Sequence, residues 1–178
     1  FIFIKYKKYK KKKTRMKIIS VINQKGGVGK TTTVINLAAG LSMKGKKILV
    51  IDLDPQGNAT TGLGMPNTEQ SDQTIYSVLN GNKKMAEVIQ STNLENLSLV
   101  TSNVDLSGLE VETAGDNRRA FKLKDELEPI LKHSETVYDY VLIDCPPSLS
   151  LLTIMALVSS DSLVVPLQTE FFALEGLT

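Results

Sequence analysis

The stretch that decides the fold is Asn23-Gln24-Lys25-Gly26-Gly27-Val28-Gly29-Lys30-Thr31-Thr32, which follows the apolar run Ile18-Ile19-Ser20-Val21-Ile22 and precedes a segment of helical periodicity. Strand, glycine-rich loop and helix in that order are the setting of a phosphate-binding loop. Glycines tolerate backbone angles that side-chained residues avoid, so successive N–H groups from Lys25 through Gly26, Gly27, Val28, Gly29, Lys30, Thr31 and Thr32 can turn inward around an anion. A helix starting near Lys30 adds its unpaired N–H groups and the positive end of its dipole. In such a loop Lys30 reaches the β- and γ-phosphates of ATP, and the Thr31 hydroxyl coordinates Mg²⁺.

Downstream, Val34, Leu37, Ala38 and Leu41 fall at i, i+3, i+4 and i+7, one apolar stripe on a helix, which Lys44-Gly45 would end. Lys47-Ile48-Leu49-Val50-Ile51 is a continuous apolar run of strand length, the pattern of a parallel strand covered on both faces. It leads into Asp52-Leu53-Asp54-Pro55-Gln56-Gly57-Asn58-Ala59-Thr60-Thr61-Gly62-Leu63-Gly64. Two carboxylates at the carboxyl end of a strand, followed by a Pro/Gly-rich loop, stand where open α/β sheets bind ligands. An isolated Asp-Pro would be a turn former. One helix and one strand after a phosphate loop, these residues read as a switch loop near the γ-phosphate and Mg²⁺.

Tyr140-Val141-Leu142-Ile143-Asp144-Cys145-Pro146-Pro147 is the second strong site. Four apolar residues ending in Asp match a Walker B strand, whose Asp144 would hold Mg²⁺. Cys145 reads as a small packed residue.

The phosphate loop departs from G-x-x-x-x-G-K-[ST] at Gln24, and Lys25 adds a second lysine. The form Lys-Gly-Gly-Val-Gly-Lys-Thr resembles the deviant P-loop of the ParA/MinD group of ATPases. The string Asp-Leu-Asp-Pro-Gln-Gly-Asn-Ala-Thr resembles the ParA/Soj branch, which partitions chromosomes and plasmids, and Asp-x-Pro-Pro resembles the group's second switch. The resemblance runs from Met16 to Thr178. It implies that Lys25 reaches across a dimer interface to the partner's nucleotide, that Asp54 orients or activates the attacking water, and that Asp52 lies close to the Mg²⁺ shell. The catalytic set is then Lys25, Lys30 and Asp54, and the metal set Thr31, Asp52 and Asp144. The fold it implies is an α/β P-loop NTPase with a mostly parallel sheet flanked by helices on both faces and incomplete at its C-terminus.

By the same resemblance the activity is that of an ATP-dependent dimerising switch for DNA segregation. The ATP-bound dimer would hold DNA nonspecifically through a missing C-terminal region, and hydrolysis stimulated by a ParB-like centromere-binding protein would release it. The implied location is cytoplasmic and nucleoid-associated. A MinD-like membrane ATPase is the first alternative, weakened by the Asp-Pro-Gln-Gly-Asn loop. A protein resembling the nitrogenase iron protein would need cluster-ligating cysteines, and the chain has Cys145 alone. A non-functional fragment that binds nucleotide weakly or not at all is the third alternative.

The 178 residues suit one domain, read here as 17–178. Residues 1–16 hold eight of the 21 Lys and Arg and no acid, which leaves 13 basic against 19 acidic residues and a body of net −6. The basic segment is read as a non-native or disordered extension with Met16 as the start, and is left out of the fold. Short helices are expected at 74–79 and 85–89, a strand at 97–100, and helix from Val104 to about His133 with a break near Gly115 and Asn117 as a cap. Arg118, Arg119, Lys122 and Lys124 read as a solvated face, with Asp125, Glu126 and Glu128 following. His133 reads as a surface residue. Leu151–Val158 reads as a helix and Ser162–Leu167 as a buried strand.

Overall fold

The computed structural model describes residues 2–4, 16–66, 72–132 and 138–168. Among the described residues, seven strands form one sheet: β1 Ile2–Ile4, β2 Lys17–Val21, β3 Ile48–Asp52, β4 Gln90–Ser91, β5 Leu97–Val100, β6 Tyr140–Asp144 and β7 Ser162–Val165. Their order is β1-β7-β2-β6-β3-β5-β4. The five inner strands run parallel, and only the edge strands β1 and β4 are antiparallel. The longer helices are α1 Lys30–Ser42, α6 Lys122–Lys132 and α7 Leu151–Ser159, with short ones at α2 Asn58–Gly62, α3 Ile75–Leu79, α4 Met85–Val88 and α5 Leu109–Glu112.

The apolar runs explain the layering, because a parallel strand covered on both sides needs apolar residues on both faces. Leu49 and Ile51 of β3 face one core with Leu79, Leu123, Leu127 and Met155. Ile48 and Val50, the alternate residues, face the other with Val34 and Ala38 of α1. Helices therefore flank the sheet on both faces, as expected. No helix among the described residues is long and apolar enough to cross a membrane.

Several expectations shift in detail. The strand expected at 47–51 begins and ends one residue later, which makes Asp52 its last residue. Asn117 does not cap α6. Asp116 does the local work, its carboxylate accepting from the Arg118 amide at 2.7 Å, and a 3₁₀ turn at Arg119–Phe121 then leads into α6. Phe121 is 41% exposed, with the Arg118 guanidinium 5.5 Å from its ring centre. Arg118 pairs with Asp125 at 2.8 Å and Lys122 with Asp116 at 3.2 Å, so much of the basic cluster is neutralised locally. The segment 1–16, left out of the fold in the sequence reading, contributes β1, which pairs with β7 in the register Phe3↔Val164. Ile-Phe-Ile has the β-branched and aromatic character that suits strand pairing. His133 and the segment after Gln168 lie outside the described residues.

Candidate functional site

Three strand ends meet at one level. In the parallel ladders Asp144 is paired in register with Val21 on one side and with Asp52 on the other. Val21 leads into the phosphate loop and Asp52 into the switch loop, so β6 sets the Walker B aspartate between both. Residues separated by more than 120 positions converge because β2 and β3 flank β6 in the sheet order.

The loop itself is built for an anion. Gly27 and Gly29 have φ of +72° and +89°, a left-handed backbone that a side chain would strain. Gly29 is the N-cap of the thirteen-residue α1 and no side chain caps it, so the helix's first amides have no intrahelical partner and are offered to the loop's interior. Asn23, buried, sets the loop's entry. Its Oδ1 accepts from the Lys25 amide at 2.9 Å, and its Nδ2 donates to the Pro166 carbonyl at 2.8 Å, tying the loop to the end of β7. Gln168 Nε2 donates to the Gly27 carbonyl at 3.0 Å on the far side.

Lys30 is buried and donates its ammonium to the Lys25 carbonyl at 3.1 Å. Burial pushes its pKa below the ordinary lysine value, and the charges of Asp144 and Asp54 oppose that. A buried ammonium held by one neutral carbonyl has donors to spare for an anion.

The three aspartates differ in what they are free to do. Asp144 is fully buried, and neither of its carboxylate oxygens has a hydrogen-bond partner. Burial raises its pKa to about 7; weak hydrogen bonding from the Thr31 hydroxyl, whose geometry falls short of a full bond, works against the rise, Asp52 and Asp54 add to it, and Lys30 opposes it. Buried carboxylate oxygens without donors are costly, and a divalent cation beside Thr31 would satisfy them. Asp52 is the opposite case. Its Oδ1 accepts from the Asp54 amide at 3.1 Å, and its Oδ2 accepts from both the amide and the hydroxyl of Thr60 at 2.8 Å. Burial raises its pKa to about 6 against those hydrogen bonds. Asp54, also buried, accepts from the Gln56 amide at 3.0 Å and lies within electrostatic reach of Lys30. Cys145 is buried and its thiol is pushed far up by that burial, which leaves no accessible thiolate.

The structure thus brings Lys30, Thr31, Asp52, Asp54 and Asp144 to one place. Lys25 stands at the loop's start, its side chain more exposed. The sequence reading assigned no role to Asn23, Thr60 or Gln168, each of which bonds to the site. Asn23 and Thr60 stand inside the quoted motifs, but their use depends on where β7 and Asp52 come to lie.

A protein-family model described as an AAA domain matches residues 16–178. The sporulation initiation inhibitor protein Soj of Bacillus subtilis is 48% identical over 162 residues, covering 91% of this chain and 62% of that protein. The chromosome partitioning protein ParA of Caulobacter vibrioides is 48% identical over 163 residues, covering 92% of this chain and 60% of the relative. This chain belongs to the AAA-domain family. It spans about three-fifths of the length of these relatives. Among solved structures, cobyrinic acid a,c-diamide synthase from Mycobacterium smegmatis with bound ADP and magnesium superposes with a TM-score of 0.82 at 36% identity, over 91% of this chain and 64% of that one. The fold is accordingly that of a P-loop NTPase.

Proposed function

We propose that this protein binds Mg·ATP between the phosphate loop and Asp144, hydrolyses it, and uses the cycle as a dimerising switch in DNA segregation. The observation that carries the nucleotide reading is the buried carboxylate of Asp144, whose oxygens have no well-formed hydrogen bond, set in register beside the strand that feeds the P-loop and with the Thr31 hydroxyl as a neighbouring donor. Thr31 and Asp144 would hold Mg²⁺, with Asp52 bordering that shell. Bound magnesium would neutralise charge on the phosphate oxygens.

The chain's own groups divide the remaining work. The amides of Gly26–Thr32 and the Lys30 ammonium bind the phosphates and stabilise the charge that develops on them. Asp54 orients the attacking water and accepts its proton. Lys25, at the rim of the loop, contributes its charge to the nucleotide of a facing subunit. The loops at 52–64 and 144–148 change their hold when the γ-phosphate leaves, which relaxes the subunit interface.

Support for the partition reading is the Asp-Leu-Asp-Pro-Gln-Gly-Asn-Ala-Thr loop together with the 48% identity to Soj and ParA. The proposed partners are a second copy of the chain, nonspecific DNA and a ParB-like centromere-binding protein, with a nucleoid-associated location. Sedimentation of the wild type and Lys25→Ala with Mg·ADP or a slowly hydrolysed ATP analogue tests the switch. A wild-type dimer with the ATP analogue only, and a nucleotide-bound monomer for Lys25→Ala, are expected. A wild type that stays monomeric in both nucleotides contradicts the dimer switch.

A further inference from the structure

The switch loop's carboxylate at Asp52 makes no use of its oxygens for anything but its own loop. The amides of Asp54 and Thr60 both donate to it, at 3.1 and 2.8 Å, so the two ends of the 54–60 segment are tied to one side chain. Between them the segment turns on itself, with the Gly57 amide donating to the Asp54 carbonyl at 2.9 Å. The Thr60 hydroxyl then extends the tie across the sheet. It donates its single proton to Asp52 Oδ2 at 2.8 Å and accepts the Ser102 amide at 3.0 Å, where the chain has just left β5. Thr60 is fully buried, so this hydroxyl is committed on both sides and water has no access to replace it.

We infer that Thr60 is a positioning residue of the ATPase centre, a latch that acts through Asp52 to hold Asp54 within reach of Lys30. The inference rests on the ATPase reading above for its catalytic consequence and on the hydrogen-bond geometry for the latch itself. β3 and β5 are rigid neighbours in the sheet. A loop fastened to both at once has its residues fixed to the precision that a water-orienting carboxylate needs. A valine at this position keeps the volume and loses the hydroxyl. It leaves the Ser102 amide without an acceptor and Asp52 Oδ2 with one donor in place of two, which loosens the side chain that holds the Asp54 amide and does not touch the phosphate loop.

Hydrogen exchange on the nucleotide-free protein, followed at Asp54, Thr60 and Ser102, tests the latch without any ATP chemistry. All three amides are expected to exchange together and about a hundredfold more slowly than exposed loop amides in the wild type. Thr60→Val is expected to speed exchange at Asp54 and Ser102 about tenfold with the helix α1 amides unchanged, and Thr60→Ser to restore protection. In hydrolysis assays Thr60→Val is expected to lower kcat about tenfold with KM for ATP within about twofold, and Thr60→Ser to recover kcat. Wild-type exchange at Asp54 or Ser102 as fast as at exposed amides overturns the latch, and that result needs no folded variant. Unchanged exchange in Thr60→Val, or a Thr60→Ser variant as slow as valine, overturns it too. Protected amides in a wild type that hydrolyses no ATP leave the latch standing and overturn the ATPase reading instead.

Discussion

Asp144→Asn should stabilise the nucleotide-free protein at neutral and alkaline pH while removing its response to Mg·ATP. The carboxyl has its pKa raised from 3.8 to about 7 by burial. The folded protein holds this proton more tightly than the unfolded chain, so the carboxyl's contribution is complete below pH 3.8 and is lost as pH rises through about 7. Above that range the fold carries an anion that the unfolded chain would keep in water. At about 1.4 kcal/mol per tenfold change in proton affinity, the penalty removed by asparagine approaches about 4 kcal/mol at pH 8. The stability difference between variant and wild type should therefore grow by about 2 kcal/mol between pH 5.5 and 8. Urea denaturation of both proteins, free of nucleotide and magnesium, across that pH range measures it. Adding Mg·ATP should raise the wild-type midpoint and leave the variant's unchanged. A difference that is flat with pH, or that shrinks as pH rises, would refute the view that Asp144 is a buried carboxylate kept without donors for a cation.

Lys30→Ala should abolish stabilisation by Mg·ATP in a melting experiment, since the ammonium is already buried and half-paired in the nucleotide-free loop. Gly29→Ala should cost about 1–2 kcal/mol in urea denaturation, because alanine is forced to the φ of +89° that glycine adopts freely. Asn23→Ala removes the bonds to the Lys25 amide and the Pro166 carbonyl and should cost about 1–3 kcal/mol, with weaker binding of a fluorescent ATP analogue as the second readout.

Much of the fold was legible because parallel strands covered on both faces read as unbroken apolar runs, as at Ile48–Ile51 and Val141–Ile143. The P-loop was legible because its glycines, lysine and threonine act within one short segment. What the residues alone did not show, and only the resemblance implied in the case of Asp52 and Asp144, were relations set by strand order. Nothing in the local sequence places Asp52 beside Asp144; the insertion of β6 between β2 and β3 does that. Thr60 looks like any threonine of a short helix until the Ser102 amide arrives from β5 to use its oxygen. Asn23 acquires its role only when the Pro166 carbonyl lies within 2.8 Å. The strand at Ile2–Ile4 escaped for a different reason, since the basic run behind it invited the whole segment to be set aside, whereas the short β-prone stretch at its start pairs with β7.

The most direct test of the account is steady-state hydrolysis of Mg·ATP by the protein with and without nonspecific duplex DNA and its cognate centromere-binding partner, beside Asp54→Ala. Slow turnover that rises when DNA and partner are both present, and that disappears in Asp54→Ala while ATP binding persists, is the predicted result. Turnover that survives Asp54→Ala, or that responds to anionic lipid vesicles and not to DNA, would contradict it.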